Sequence, residues 1–322
     1  MRGVQPLAGL LAVDLTRYLP GPFASRELLR LGARVVRLEA PEGDPLREIA
    51  PAWDEALNAG KESVVCDLKR EPGFGLELCS RADVVLEGFR PGVLERLGLA
   101  PERLPPRVVL CSITGFGAEG RHAGRAGHDL NYLGWAGALA ATAPALPPLP
   151  IADLAAGALT AVNRILAALL QRERTGRGGR VVVSLAHGAH GLVAHEAAAP
   201  SPLTGRLACY RIYATADGRW LTVAALETRF WERLCALIGR SDLAGRQHDA
   251  DQEALAAELA AVFEARPLAE WLELADGEDV CLGPVATLAE AAADLGESHA
   301  AAPAPALGEH TAAWRRTLGL AA

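Results

Sequence analysis

Leu10-Leu11-Ala12-Val13-Asp14-Leu15, the loop Thr16 to Gly21 and the run from Pro22 to Leu31-Gly32 decide the fold. The first six residues read as a buried strand. Proline at the start and glycine at the end suit a helix between them, and Arg34 to Leu38 then reads as a second strand. The opening is a β-α-β unit, whose crossover helix makes the two strands parallel.

The same pattern repeats outward. Ser63 to Leu68, Asp83 to Phe89, Arg107 to Thr114 and Val181 to Leu185 read as further strands, with helices at Phe74 to Ala82 and Val93 to Leu97 between them. Near-continuous Val/Ile/Leu strands alternating with helices predict an α/β fold with a parallel sheet covered on both faces. In such a sheet Arg37 ends the second strand, on the edge where phosphates are received. From Asp153 to about Arg174 apolar residues recur at helical spacing, and Thr175-Gly176-Arg177-Gly178-Gly179 stops the run.

Two titratable residues stand just before helical stretches: His128, in Gly127-His128-Asp129-Leu130-Asn131-Tyr132, and Asp153, after the Pro-broken link Pro144 to Pro150. Each has a plain reading, a surface histidine and an N-cap aspartate. A helix start also offers unpaired N–H groups and partial positive charge. If the fold joins the two starts, a base stands on either side of one carbon and backbone donors hold the charge that develops.

Composition narrows the possibilities. The 322 residues predict one large and one smaller domain. A net charge of −7, with sixteen acidic residues against five arginines from Leu221 to Ala300, argues against nucleic acid and sends any polyanionic ligand to the earlier part. The six cysteines show no close pairs and read as reduced core residues. Asp14 interrupts the first apolar run, so it is not a signal, and no apolar run nears eighteen residues. A cytoplasmic protein without a membrane partner is expected.

Gly115-Phe116-Gly117-Ala118-Glu119-Gly120 matches the dinucleotide fingerprint literally, but Arg121 to Gly127 is polar and aperiodic where a helix should open. No nicotinamide or flavin is expected. His187, His190 and His195 lack metal-ligand spacing, and no metal is expected. After a linker at Pro200 to Gly205, Cys209 to Ala214 and Trp220 to Ala225 form a hairpin about Asp217-Gly218, helices follow, and a short strand falls at Val280 to Leu282. The domains expected are 1–199, a small α+β domain at 206–298, and a C-terminal segment, 299–322, that returns to the large domain.

Eight stretches in order resemble the family III CoA-transferase and α-methylacyl-CoA racemase (CaiB/BaiF-like) group: Asp14 to Phe23, Val35 to Pro41, Gly88 to Gly98, Thr114 to Gly117, Gly127 to Tyr132, Arg174 to Gly178, Ala216 to Arg219 and Leu307 to Thr311. The resemblance implies a Rossmann-like large domain, an interlocked homodimer and acyl-CoA ligands. By position it implies CoA contacts at Arg37, Asn58, Ala59, Lys61, Asp83, Val84, Arg90 and Gly127. Charge agrees for Arg37, Lys61 and Arg90, which suit phosphates, while Asp83 and Val84 are expected beside the adenine.

Asp153 matches the acid common to the group, a nucleophile in transferases and a base in racemases. His128 resembles the partner base of the racemase branch, with Asp129 beside it, and Glu227 matches an acid that supports the histidine across subunits. The expected activity is racemisation or epimerisation of a 2-methyl-branched acyl-CoA. The alternatives are CoA transfer through an Asp153 acyl-enzyme and a non-catalytic CoA-binding paralogue. Departures from the pattern are Ala155 and Ala156 in place of glycines, expected to narrow the site, Val182 and His187 in place of acids, and shortened segments near Pro200 and Ala300.

Overall fold

The computed structural model describes residues 4–140, 142–199, 201–296 and 302–321. Pro200 and Ala300, where shortened segments are expected, lie outside the described residues. The chain forms two compact units, 1–195 with 299–322, and 196–298.

The first unit is built on six parallel strands: β1 (Leu11–Asp14), β2 (Arg34–Glu39), β3 (Glu62–Val65), β4 (Val84–Glu87), β5 (Val109–Thr114) and β6 (Gly179–Ser184). Their order is β3-β2-β1-β4-β5-β6. Ala12 pairs with Val35 on one side and Val84 on the other, so the winding reverses beside β1. A crevice opens at the carboxyl ends of the strands at such a reversal.

Successive strand residues feed opposite faces, as a period of two requires. Ala12, Val35, Leu86 and Val109 join one core with Leu28 and Ile165, whereas Val13, Val36, Val85 and Leu110 join the other with Leu78 and Trp314. Residues 302–321 pack in this unit. The His310 N–H donates to the Ser63 carbonyl, and the Val65 N–H to Thr311, which covers the β3 edge.

Helix Ala152–Thr175 corrects one expectation. Its 24 residues are long and apolar enough to cross a membrane by length and composition. Here Ala161, Ile165 and Leu169 lie in the core, and Arg172 donates to Asp83. Its first part, Ala152–Leu159, is wound as a π-helix. The histidine window is also structural. Ser184 caps helix Leu185–Val193 by accepting from the His187 N–H, and His190 Nδ1 meets the Ala136 carbonyl oxygen at 3.0 Å.

The second unit holds an antiparallel sheet, β7 (Tyr210–Ala214), β8 (Trp220–Ala224) and β9 (Leu282–Pro284), with helices Thr228–Leu237, Gln252–Phe263 and Leu268–Ala275. Trp231, Leu234, Leu255 and Phe263 fill its core. The third strand begins two residues later than its sequence suggests, because Cys281 adopts a left-handed φ of 52° that interrupts the extended run after Val280.

A buried polar layer underlies the carboxyl ends of β1 to β3. Arg37 is 3% exposed and stands 2.9 Å from Asp54, 3.4 Å from Glu39 and 3.6 Å from Asp44. Lys61, also buried, donates to the Pro22 carbonyl, Ser25 and Asn58. Burial pulls its pKa down to about 7 against the raising effect of Asp14. Removing one partner of a buried charge cluster leaves the others uncompensated, so Arg37→Ala should lower stability by about 3–5 kcal/mol in urea melts. A residue serving ligand phosphates alone leaves the melt unchanged.

Candidate active site

His128 stands at the start of helix Asp129–Ala136 in an extended conformation, and its N–H donates to Asn131 Oδ1 at 3.0 Å. Tyr132, on the same helix, donates its hydroxyl to the Gly127 carbonyl. A Cβ at Gly115 or Gly127 would stand 2.5 or 2.9 Å from the Tyr132 ring, so glycine is required on both sides of that ring. The Gly-His-Asp-Leu-Asn-Tyr stretch thus sets the direction from which His128 leaves the backbone.

Asp153 is the second residue of the π-helical segment, inside the first turn rather than before it as an N-cap, and Asp129 Oδ1 accepts its N–H at 2.8 Å. The two helix starts are joined by this bond. The same bond occupies one amide that sequence reasoning assigned to a developing oxyanion. Burial, and then the Asp129 charge, push the Asp153 pKa up to about 7. Burial raises the Asp129 pKa as well, against the lowering effect of the hydrogen bond from Asp153.

His128 and Asp153 line one cavity of about 740 Å³. Its walls come from the loops after β1, β4 and β5, the start of helix Leu185–Val193, and the two helix starts. Arg17, Arg90 and Arg125 line it too, and among the described residues Asp153 is the one carboxylate in its wall. The wall is therefore cationic within an acidic chain. Arg125 lies over the Trp135 ring, 5.3 Å from its centroid. A second cavity of about 360 Å³ shares Leu15, Thr16, Arg17, Phe89 and Val93 and runs toward Asp67 and Lys69.

Of the expected CoA contacts, Arg90 and Gly127 lie in the wall of the larger cavity. Arg37, Asn58, Ala59 and Lys61 are buried, and the expectation that Arg37 and Lys61 present free charge at the strand ends is corrected by the polar layer that absorbs them. Asp83 accepts from the Leu11 N–H and Arg172 at the amino end of β4, and Val84 is 3% exposed inside the sheet. Both are at the strand edge opposite the cavity, which corrects their placement beside a ligand bound there. Glu227 belongs to the second unit, just before helix Thr228–Leu237.

Ala155 and Ala156 do not line the cavity. A Cβ at Gly188 would meet the Ala156 methyl at 2.9 Å and its carbonyl oxygen at 2.7 Å, so that methyl packs on the neighbouring helix and does not narrow the site. Sequence reasoning missed Arg17, Tyr18 and Arg125. The first two sit in the loop after β1, where the crevice rule for parallel sheets points, while Arg125 lies in an aperiodic stretch with no such signal. Among the described residues, no three His, Cys, Asp or Glu side chains are grouped to hold a metal.

A family model described as CoA-transferase family III matches residues 7–303. Alpha-methylacyl-CoA racemase from Homo sapiens is 35% identical over 308 residues, which span 88% of this chain and 78% of the relative. Acetyl-CoA:oxalate CoA-transferase from Acetobacter aceti is also 35% identical, over 89% of this chain and 82% of the relative. Rv3272 from M. tuberculosis superposes with a TM-score of 0.82 at 31% identity, covering 97% of this chain and 99% of that one. A CAIB/BAIF family protein from Brucella suis does so with 0.82 at 30%, covering 98% and 100%. With most of its length matched in sequence and in fold, this chain belongs to CoA-transferase family III.

Proposed function

We propose that this chain interconverts the two configurations of a 2-methyl-branched acyl-CoA, with His128 and Asp153 as the two proton-transfer groups. The observation that carries the reading is their place in one cationic cavity, with Asp153 titrating near neutrality. One group removes the α-proton from one face, and the other delivers a proton to the opposite face. The reverse passage swaps their roles, so the net reaction needs no cofactor and no second acyl acceptor. A group with a pKa near the working pH serves as acid and as base. The arginines of the wall supply charge for the CoA phosphates.

The identity with alpha-methylacyl-CoA racemases supports this reading. Equal identity with an acetyl-CoA:oxalate CoA-transferase supports a second one, in which the Asp153 carboxylate attacks the thioester carbonyl, forms an anhydride and expels CoA thiolate. The proposed assembly is an interlocked homodimer in the cytoplasm, with Glu227 supporting the partner's His128. Light scattering should then give about twice the 33.8 kDa chain mass, and a stable folded monomer rules the assembly out.

In deuterated water, a 2-methylacyl-CoA should exchange its α-proton and lose its chirality without an acceptor. His128→Ala should slow this by about 10²–10⁴-fold while CoA still binds. Intact-protein mass spectrometry showing an acyl or CoA adduct on Asp153, with acceptor-dependent transfer and no α-exchange, selects the transferase reading.

Asp153 also makes stability depend on pH. Its folded pKa, about 7, lies above the ordinary 3.8, so between these values the folded chain binds more protons than the unfolded chain. Stability from this group is fully present below the lower value and is lost as pH rises through about 7. Asp153→Asn should fail to racemise yet melt higher than the parent at pH 8, with the gap closing toward pH 4. A parent that melts higher at pH 8 contradicts the burial argument.

A further inference from the structure

Tyr18 lines the cavity in a conformation that packing does not require. Its φ is 66°, a left-handed value at which an L side chain crowds its own backbone. Such a residue persists where its surroundings enforce it, and these cases cluster at functional sites.

The enforcing group is Asp44. Its carboxylate, 2% exposed, accepts the Tyr18 N–H at 3.0 and 3.3 Å and the Leu46 N–H at 3.0 Å. The other end of the loop is fastened as well. Asp14 accepts the Thr16 N–H at 2.9 Å, and a Cβ at Gly21 would stand 1.9 Å from Thr16 Oγ1, so Thr16 and Gly21 are locked together. The loop has little freedom to choose where residue 18 points.

What it presents is an aromatic ring that is 43% exposed and outside every core cluster. The ring meets the His128 imidazole edge to face, with centroids 6.2 Å apart and planes at 88°. Glycine would make the same turn without strain. The side chain therefore answers to its contact with His128.

We propose that Tyr18 is a positioning residue for His128: Asp44 holds the backbone turn, and the ring fixes the plane in which the imidazole exchanges the α-proton. This rests on the reading of His128 as a base, and the test separates the two. Full-length protein with isotope-labelled histidine is compared as parent, Tyr18→Gly and Tyr18→Phe. Tyr18→Gly accepts the positive φ and keeps the N–H for Asp44, so the fold survives the loss of the ring.

In Tyr18→Gly the His128 ring resonances should lose their ring-current shift and average between rotamers, and Tyr18→Phe should restore them. With 2-methylacyl-CoA, kcat for α-proton exchange should fall about tenfold in Tyr18→Gly with KM little changed, since an aromatic pair is worth about that factor. Tyr18→Phe should recover most of the loss. Unchanged His128 resonances in Tyr18→Gly overturn the positioning role whether or not the protein racemises anything. Shifted resonances with undiminished kcat overturn it too. A parent without α-exchange whose His128 resonances still depend on the ring supports the positioning and refutes the racemase reading alone.

Discussion

One hydrogen bond, from the Asp153 amide to Asp129 Oδ1 at 2.8 Å, couples the two helix starts on which the site depends. Asp129 is the residue after His128, so any shift of the second helix start along this bond is felt at the histidine. The bond has an electrostatic consequence as well. It brings a half-buried carboxylate close to the Asp153 side chain, and that charge, added to burial, raises the proton affinity of Asp153 to near neutrality. Geometry and acidity in this site therefore have one origin.

Charge is distributed unevenly. The chain carries −7 overall, yet among the described residues the cavity wall sets three arginines against one carboxylate, Asp153, whose pKa is raised to about 7. Low-dielectric walls strengthen such a local field, and the acidic surface elsewhere disfavours competing anion sites. Arg37 and Lys61 do not stand in that wall. Their charges are met inside the protein, where they fix the loops that carry Arg17 and Tyr18.

Sequence periodicity located the six parallel strands, because strands covered on both faces are mostly apolar, as in Val109–Thr114, which is buried along its whole length with Ser112 as its one interior polar residue. It did not locate the winding of Ala152–Leu159, since a π-turn keeps the apolar spacing of an α-helix over so short a run. His128 and Asp153 were legible through their places before helical stretches. Arg37 was misjudged for a physical reason. A strand-end arginine looks alike in sequence whether it faces a ligand or three carboxylates drawn from elsewhere in the chain, here Glu39, Asp44 and Asp54. Tyr18 was invisible as a site residue because its role lies in a backbone angle, and φ leaves no trace in composition.

Three groups of this unit carry a cost to stability: the left-handed Tyr18 and the Asp153 carboxyl, both in the cavity wall, and the buried Lys61 amine behind it. Tyr18 and Lys61 stand in segments that border strand ends, where ladder hydrogen bonding has stopped, and Asp153 stands in the first turn of a helix. The ladder itself runs through Ala12, Val35 and Val84 with both faces buried, and it holds the strand ends at fixed separations whatever the loops contain. A strained turn or a perturbed acid attached to such a frame changes the chemistry at the rim without loosening the core. Strain at Tyr18 therefore cannot relax by moving β1. It can relax only by rotation about the N–Cα bond of Tyr18 itself, and Asp44 on the N–H and His128 against the ring hold that rotation from opposite ends of the residue.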